Sequence, residues 1–436
     1  MIRTLTQRIF LKWLCMATTV ALGAQFARGQ VPVPVPTPLP TQTLGGVYID
    51  ADGTVQYREI NDPRLAQLRA RARSGIKDEK LAYVSLPKLA ARMQQLAADS
   101  KPIPDDLRYL GGLTQLRYIF VFPQEHDLII AGPAEPIDSG NPLQPTGRRS
   151  GRPIMQFDDF IAALRTLGTP NGGAFGCSID PQPDSLLKAK DVVSRMQGAP
   201  QQAMLAAVAQ AIGPQELKVF GAPPDTRITM VCIAADYRLK RLTLGIDSSP
   251  VAGLSHAIDN SRPAGNRFWF ELSYQPLLVD SEGNSFELRG QRLTLKCGAL
   301  AFDEKGATAT AKSFAKQFSA KFPELAAVVP AFAELQNVAD LSVLSALIRH
   351  DRLDQKAGWD TSWLLDAGRC HLPTLPTPRS AQTLVCIRNG SLAAGGVNIS
   401  PAGVIAPAAR ENDRDGALAS PRQRARNGKH AYNPIR

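Results

Sequence analysis

The chain has 436 residues, of which 44% are hydrophobic and 20% are charged, and it contains six Cys and five His. This apolar content can fill at least one sizeable core, which excludes a wholly disordered, fibrous or collagen-like protein. So few Cys and His over this length also exclude a metal-rich or disulfide-dense scaffold.

The formal net charge of +11 is concentrated at the two ends of the chain. Residues 1–29 and residues 410–436 each carry a net charge of +4, so residues 30–409 carry only +3. A surface that follows a nucleic-acid backbone needs clustered cations. We therefore expect no nucleic-acid partner for the folded body.

The N-terminus has the pattern of a secretory signal peptide over residues 1–29. A basic segment precedes an apolar run over residues 13–26, and Ala27 and Gly29 have the spacing that a signal peptidase reads before Gln30. The apolar run is too short for a membrane span, and we expect no other stretch to be one. The sequence thus predicts a secreted protein (periplasmic, cell-surface or extracellular) that is not transmembrane after cleavage.

Alternating prolines follow over residues 30–42, and they predict a semi-rigid linker of polyproline II type. Cleavage at Gln30 leaves an odd number of cysteines, five, in an oxidising compartment. Cys370 and Cys386 are the nearest pair and are a candidate disulfide. The alternative is that both are small apolar residues in strands, since spacing alone does not fix the Cα separation.

Residues 43–132 are predicted to form an N-terminal α+β unit. Residues 45–57 form two alternating apolar runs around an Asp-Gly turn, which is typical of a β-hairpin. Asp62 and Ser85, together with the residues that follow them, have the pattern of helix N-caps, so a helix is predicted to start after each. Continuous apolar runs on both sides of a polar turn predict a second, buried hairpin over residues 118–131.

Residues 133–153 are rich in Pro, Gly, Ser and Arg and are expected to form a long exposed loop. The main α+β unit follows over residues 154–355. It begins with a helix over residues 157–167, and a strand is expected at Cys177.

A second helix of the main unit is expected to start at about Asp225. Its apolar stripe faces inward, and its charged residues are expected to point to solvent. Those charged residues are Arg227, Asp236, Arg238, Lys240 and Arg241.

The second half of the main unit starts with an alternating pattern over residues 266–302, which predicts an antiparallel meander. A helix with Phe314, Phe318 and Phe322 facing inward follows. A longer apolar helix then begins after Pro330.

A C-terminal β-rich segment is predicted over residues 356–409, and a basic disordered tail over residues 410–436. Residues 395–405 repeat the Gly-Gly-Val pattern of residues 45–57 and are interpreted as a second hairpin. One explanation is that any hairpin of this length selects similar residues. The other is that both hairpins are copies of one edge-strand device. The tail is suited to electrostatic contact with anionic polymers or lipids.

Chemically active motifs are scarce in this sequence, and we predict no catalytic, cofactor-binding or metal-binding residues. Asp50 and Asp52 begin like a calcium loop, but Gly53 is two positions too early for one. Cys370 and His371 are neighbours, yet adjacent residues in a strand point to opposite faces. Zinc-protease, nucleophile-elbow and phosphate-loop patterns are all missing.

Several short motifs follow one another in order between Gly45 and about Leu353. They are residues 118–123 with 131–135, residues 151–153 with Asp158-Asp159, and residues 177–181, 219–226, 234–242, 268–270, 274–277 and 332–335. In this order they resemble an uncharacterised family of secreted planctomycete proteins, known as a domain of unknown function. The resemblance implies export and one folded assembly, and it brings no activity, substrate or catalytic residue with it.

Together these patterns predict an α+β fold in which small antiparallel sheets pack with amphipathic helices, in one large or two closely packed units. The leading functional hypothesis is a noncatalytic envelope or extracellular protein that binds or scaffolds a partner there. The alternative is a secreted hydrolase whose carboxylate/His site is assembled from distant loops. The residues that could supply that site are Asp158, Asp159, Asp180, Asp236 and His350.

Overall fold

Two β-sheets with helices packed against them form the framework of the computed structural model, which describes residues 43–59, 81–258, 265–300, 306–384 and 392–428. This architecture confirms the predicted α+β class. All of these residues belong to one compact unit, residues 42–436, so the first of the two predicted alternatives holds. The predicted signal peptide, the linker and the helix after Asp62 lie outside the described residues.

The strands that the structure describes are, in chain order, β1 (Val47–Ile49), β2 (Thr54–Tyr57), β3 (Leu81–Ser85), β4 (Tyr118–Phe122), β5 (Asp127–Pro133), β6 (Ile137–Asp138), β7 (Thr146–Gly147), β8 (Phe175–Asp180), β9 (Gln215–Phe220), β10 (Gly265–Ser273), β11 (Leu277–Val279), β12 (Ser285–Glu287), β13 (Arg292–Ala299), β14 (Ser380–Ala381), β15 (Leu392–Ile399) and β16 (Arg410–Asn412).

The α-helices in the same ranges are α1 (Leu86–Ala98), α2 (Asp105–Arg108), α3 (Phe157–Thr166), α4 (Pro183–Arg195), α5 (Gln201–Ile212), α6 (Arg227–Thr243), α7 (Ala309–Ala320), α8 (Phe322–Val328), α9 (Pro330–His350), α10 (Leu353–Lys356), α11 (Ser362–Leu365), α12 (Ala402–Ile405) and α13 (Ala419–Asn427).

Among the described residues, the larger sheet has eight strands in the spatial order β1-β2-β14-β9-β8-β15-β10-β13, and the smaller has six in the order β16-β11-β12-β4-β5-β3. Neighbouring strands are antiparallel, except that β2 with β14, β10 with β15 and β11 with β16 are parallel. Strands from the predicted segments 43–132, 154–355 and 356–409 alternate within the larger sheet. The three segments are therefore parts of one interleaved structure.

Helix α9 is buried along almost its whole length and joins the two halves of the core. Its first part, up to Ala339, packs in the core of the larger sheet, and its second part, from Leu341, packs in the core of the smaller sheet. A largely apolar helix with buried residues on every face must be surrounded in this way. With a mean hydropathy of 1.2 it is also long and apolar enough for a membrane span, contrary to our expectation, but that stretch is entirely buried inside the protein.

Several predicted elements are confirmed where the structure describes them. The Ser85 hydroxyl caps α1 by accepting a hydrogen bond from the Lys88 backbone N–H at 3.3 Å. Residues 45–57 and 118–131 form antiparallel hairpins, β1 with β2 and β4 with β5. The predicted phenylalanine stripe, which consists of Phe314, Phe318 and Phe322, packs inward. Adjacent rings of the cluster that it forms with Phe270 and Phe332 lie 5.3–6.5 Å apart, measured between centroids.

The predicted hairpin over residues 395–405 is wrong. Residues up to Ile399 belong to β15, which lies inside the larger sheet between β8 and β10, and Pro401 then precedes α12. The two glycines are required by packing. A Cβ atom on Gly395 would lie 1.8 Å from Oδ1 of Asp236, so only glycine lets α6 approach the sheet here.

The predicted exposed loop over residues 133–153 is also partly buried. It contains the short pair β6 and β7, and it wraps around the buried carboxylate of Glu135. The backbone N–H groups of Arg149 and Ser150 donate to this carboxylate at 2.8 and 2.9 Å. Composition indicated the turns correctly, but it did not reveal the buried acceptor that organises them.

The predicted meander over residues 266–302 is divided between the two sheets. Strands β10 and β13 pair in the larger sheet, whereas β11 and β12 form a hairpin in the smaller one. Helices α4 and α5, which the sequence analysis did not identify, are inserted between β8 and β9. They pack against each other around a small core of their own.

The prediction of a disordered tail is wrong for residues 410–428. Strand β16 pairs with β11, and α13 covers the aromatic face of β4. Arg422 donates to the Val121 carbonyl at 2.8 Å, and its guanidinium lies 4.5 Å from the ring centroid of Phe122. The sequence analysis counted these arginines as charge alone, whereas their heads find carbonyl and ring partners in the folded state.

We predict that Gly395→Ala lowers the free energy of unfolding by about 3 kcal/mol or more, because the new methyl group overlaps the Asp236 carboxylate. Chemical denaturation followed by circular dichroism measures this change. Gly403→Ala is the matched control, since a Cβ there meets nothing within 4 Å, and it should change stability by less than about 1 kcal/mol. Equal effects of the two substitutions would contradict the packing argument.

Candidate functional site

Two cavities are prominent in the part of the chain that the structure describes. A groove of about 410 Å³ lies at the carboxyl ends of the parallel strands β10 and β15, and its polar members Gln275, Asn398 and Ser400 are exposed to solvent. A smaller cavity of about 200 Å³ is lined by several buried charged groups. Because converging buried charges are the stronger mark of a functional site, we take the second cavity as the candidate.

We call this second cavity the Asp158 cleft. Its principal lining residues are Arg108, Leu143, Asp158, Asp159, Arg227 and Leu375. Asp158 and Asp159 occupy the first turn of α3, where the partial positive charge of a helix N-terminus favours carboxylates. Arg227 is the first residue of α6, and Arg108 is the last residue of α2.

Arg227 is the central cation beneath the cleft. Its guanidinium pairs with Asp159, lies 2.6 Å from Oε1 of Glu334 and donates to the Leu143 carbonyl at 2.7 Å. The exposed fractions of the Arg227, Asp159 and Glu334 residues are only 7%, 2% and 0%. One cation thus serves two carboxyl groups in a place that water does not reach.

This imbalance of charge changes the protonation of the carboxyl groups. Burial raises the pKa of Glu334 to about 7, although Arg227 partly opposes the shift. Burial likewise raises the pKa of Asp159, and Arg227 again opposes it. Burial is the main cause of both shifts, and one guanidinium does not fully offset it for two carboxyl groups, so the pair binds a proton at a higher pH than free carboxylates do.

Asp158 faces the cleft itself and is half-buried. Burial raises its pKa to about 6, Arg108 acts in the opposite direction, and the neighbouring Asp159 adds to the rise. Within the described ranges, Asp158 forms no hydrogen bond or ion pair, and Oδ1 of Asp159 has no partner. The cleft therefore contains carboxylate oxygens that are free to accept hydrogen bonds.

The rim of the cleft is mainly apolar. Leu143 comes from the segment between β6 and β7, and Leu372 and Leu375 come from the segment after α11. The latter segment is fixed by its contacts with Asp225, whose carbonyl accepts from the Leu375 N–H at 2.8 Å and whose carboxylate accepts from the Thr377 N–H at 2.8 Å. The arrangement suits a small ligand with an apolar part and a polar end.

The five residues proposed for a hydrolase site occupy three places. Asp158 and Asp159 lie together in the cleft. Asp236 is buried with its Oδ2 at 3.7 Å from Lys240 Nζ, and Asp180 pairs with Arg267 at 3.1 Å nearby. His350 lies at the surface, with its Nδ1 at 2.6 Å from Asp351.

The prediction that the charged residues of α6 face solvent is wrong for three of them. Arg227, Asp236 and Lys240 are buried, and Lys240 donates to the Ile179 carbonyl at 2.5 Å. Burial raises the pKa of Asp236 to about 6, with Lys240 opposing the shift. These charges lie on faces of α6 that meet other elements, and Arg227 and Lys240 find partners distant in sequence, whereas Asp236, among the residues that the structure describes, pairs only with Lys240 on the same helix.

Sequence reasoning missed Glu334, Arg227 and Arg108 as site residues. One signal was present, because Glu334 is a charged residue in the largely apolar helix α9 and must find a partner if the helix is buried. No comparable signal singles out Arg108. Cys386 lies outside the described residues, so its pairing with the buried Cys370 stays a prediction.

We predict that protein stability falls between pH 5 and pH 8 and that Glu334→Gln reduces this fall by on the order of 2 kcal/mol. A carboxyl group whose pKa is raised by folding binds more protons in the folded state than in the unfolded state. Its ionisation therefore costs stability as the pH rises from its ordinary value through the raised one.

The measurement is urea denaturation across this pH range. Asp50, Asp351 and Asp360 have lowered pKa values, so they change the stability only below about pH 4, outside the range from pH 5 to pH 8. Glu324→Gln, at an exposed position in α8, is the control and should leave the slope unchanged. If Glu334→Gln gives the same pH slope as wild type, then Glu334 does not hold the proton.

Comparison with known proteins gives one match. The profile of a protein family described as "Protein of unknown function (DUF1598)" matches residues 177–256, which run from β8 to beyond α6 and include Arg227. This span is less than half of the chain, and it supports only a domain of unknown function over these residues; the proposed resemblance to a secreted planctomycete family over residues 45–353 stays a prediction. No curated protein and no solved structure matches the chain.

Proposed function

We propose that this protein is exported and that it acts as a noncatalytic binding protein, with the Asp158 cleft as its ligand site. The observation that carries the proposal is that, among the described residues, Oδ1 of the buried Asp159 has no hydrogen-bond partner and the half-buried Asp158 beside it is unpaired, in a cavity with largely apolar walls. Buried acceptors without partners are unfavourable unless a ligand or water completes them. A ligand that donates hydrogen bonds would remove this cost.

Ligand binding in the cleft is better supported than scaffolding through the edges of repeated hairpins. The second of the two supposed edge hairpins is an interior strand, so residues 395–405 offer no free edge. The cleft, in contrast, is built on the ends of the helices α2, α3 and α6, with α9 behind them. Sites that are built on such rigid elements keep their geometry when empty, which favours affinity.

We predict that small fragments bind in the cleft and that Pro142→Trp abolishes their binding. Pro142 is exposed on the rim, so an indole there would block the entrance without disturbing the core. Saturation-transfer NMR with a chemically diverse fragment set detects the binding. Pro276→Trp is the matched control, because Pro276 is an exposed rim proline of the other groove. The proposal would be contradicted if both variants lost fragment binding equally, or if no fragment bound to the wild-type protein.

A hydrolase that uses the same cleft is the second candidate function. It is favoured by the pKa of about 6 for Asp158, which lies near the range in which a carboxyl group can act as general acid or base. The same NMR samples test it when the set includes esters, glycosides and phosphate esters. Product signals that appear with the wild-type protein and are absent with Asp158→Asn would support catalysis. If the wild-type protein leaves the esters, glycosides and phosphate esters intact, binding alone is favoured.

Export is the remaining part of the proposal, and it rests on the signal-peptide pattern of residues 1–29. We predict that Val20→Arg, which places a charge in the apolar run, keeps the full-length protein inside cells. Thr6→Arg adds the same charge to the basic segment and should leave export intact. Cell fractionation with intact-mass analysis measures both. Unprocessed wild-type protein in the cytoplasm would refute export.

A further inference from the structure

The Asp158 cleft has more hydrogen-bond acceptors than donors. Three carboxyl groups, those of Asp158, Asp159 and Glu334, gather in and beneath it. Arg227 is fully engaged by Asp159, Glu334 and the Leu143 carbonyl. Arg108 lines the same cavity and forms no ion pair with Asp158 among the described residues, and its buried Nε has no hydrogen-bond partner, so one free donor lies beside the more numerous free carboxylate oxygens.

The unsatisfied atoms define the chemistry of the missing partner. Oδ1 of Asp159 has no partner although this side chain is only 2% exposed, and the Asp158 carboxylate also lacks one in the described structure. An anion would face two carboxylates, and a neutral acceptor would leave them unpaired. A charged donor pairs with them most strongly, since hydrogen bonds between ions are about twice as strong as neutral ones.

The walls distinguish an organic cation from a metal ion. No group of three or more His, Cys, Asp or Glu residues in the described ranges could hold a metal. The remaining lining is largely carbon, from side chains such as Ala162, Leu372 and Leu375. Apolar walls bind the body of an organic ligand, whereas a divalent ion needs several oxygen ligands.

We propose that the Asp158 cleft recognises an organic cation, a protonated amine or amidinium on a small apolar body, and that Asp158 is its principal charged contact. This inference rests on the proposed function, in which the cleft is a ligand site. It adds the class of ligand, and it assigns Asp158 and Asp159 as the residues that select it.

The test compares ligands that share one body and differ in their polar end. Benzylamine, benzyl alcohol and benzoate form one series, and n-butylamine, n-butanol and butyrate form the other. Titrations at pH 7 followed by protein NMR give the dissociation constants. We expect the amine of at least one series to bind at least tenfold more tightly than its alcohol and its carboxylate. Equal binding within both series, or preference for the carboxylate, would overturn the inference.

Asp158→Asn keeps the shape of the side chain and removes its charge, and it should weaken amine binding at least tenfold. Asp184→Asn, at an exposed position in α4, is the control and should change binding less than twofold. Thermal unfolding of each variant confirms that it is folded. An amine that binds equally well to Asp158→Asn would also overturn the inference.

The fragment screen with Pro142→Trp separates this inference from the proposed function. If fragments bind in the cleft and cations are not favoured among them, the cleft is a ligand site and only the cation class is wrong. If no fragment binds in the cleft, both proposals fail.

Discussion

The buried guanidinium of Arg227 is the constraint on which the surrounding structure depends. Arginine does not lose its proton in proteins, so its burial demands carboxylates and carbonyls within reach. Asp159 from α3, Glu334 from α9 and the Leu143 carbonyl meet this demand. Removing one partner of such a buried pair costs roughly 3–5 kcal/mol, which is a large part of the stability of a typical domain. The relative positions of α3, α6 and α9 are therefore fixed by charge as well as by packing.

Local patterns in the sequence predicted much of the secondary structure. The Ser85 cap, the hairpins β1–β2 and β4–β5, and the inward phenylalanines of α7 all follow from signals within a few residues. The pairing of distant strands was not predictable, because the register of β15 between β8 and β10 depends on partners far away in the chain. For the candidate site, the sequence analysis named only Asp158 and Asp159, as two of five residues that could form a hydrolase site, and it did not predict that these two would lie together in a cleft.

The failures have a common physical origin. A periodicity argument sorts residues by polarity and assigns every charge to water, and so it misplaced Arg227, Asp236 and Lys240. The resemblance to residues 45–57 placed Gly395 at the start of a hairpin, although the glycine makes room for the Asp236 carboxylate in the interior. Buried polar groups and the glycines beside them act as pairs, and a pattern within one segment cannot reveal a partner in another.

The position of Asp158 follows from that of Asp159. Successive residues of an α-helix are rotated by about 100° around its axis, so two neighbouring side chains leave the helix in different directions. Asp159 is held by Arg227 on the inner side of α3, and the helix therefore presents Asp158 toward the cleft. The buried cation fixes the rotation of α3, and that rotation sets the orientation of the free carboxylate. An ion pair that stabilises the core thus also prepares an acceptor for a ligand, and the two roles belong to adjacent residues.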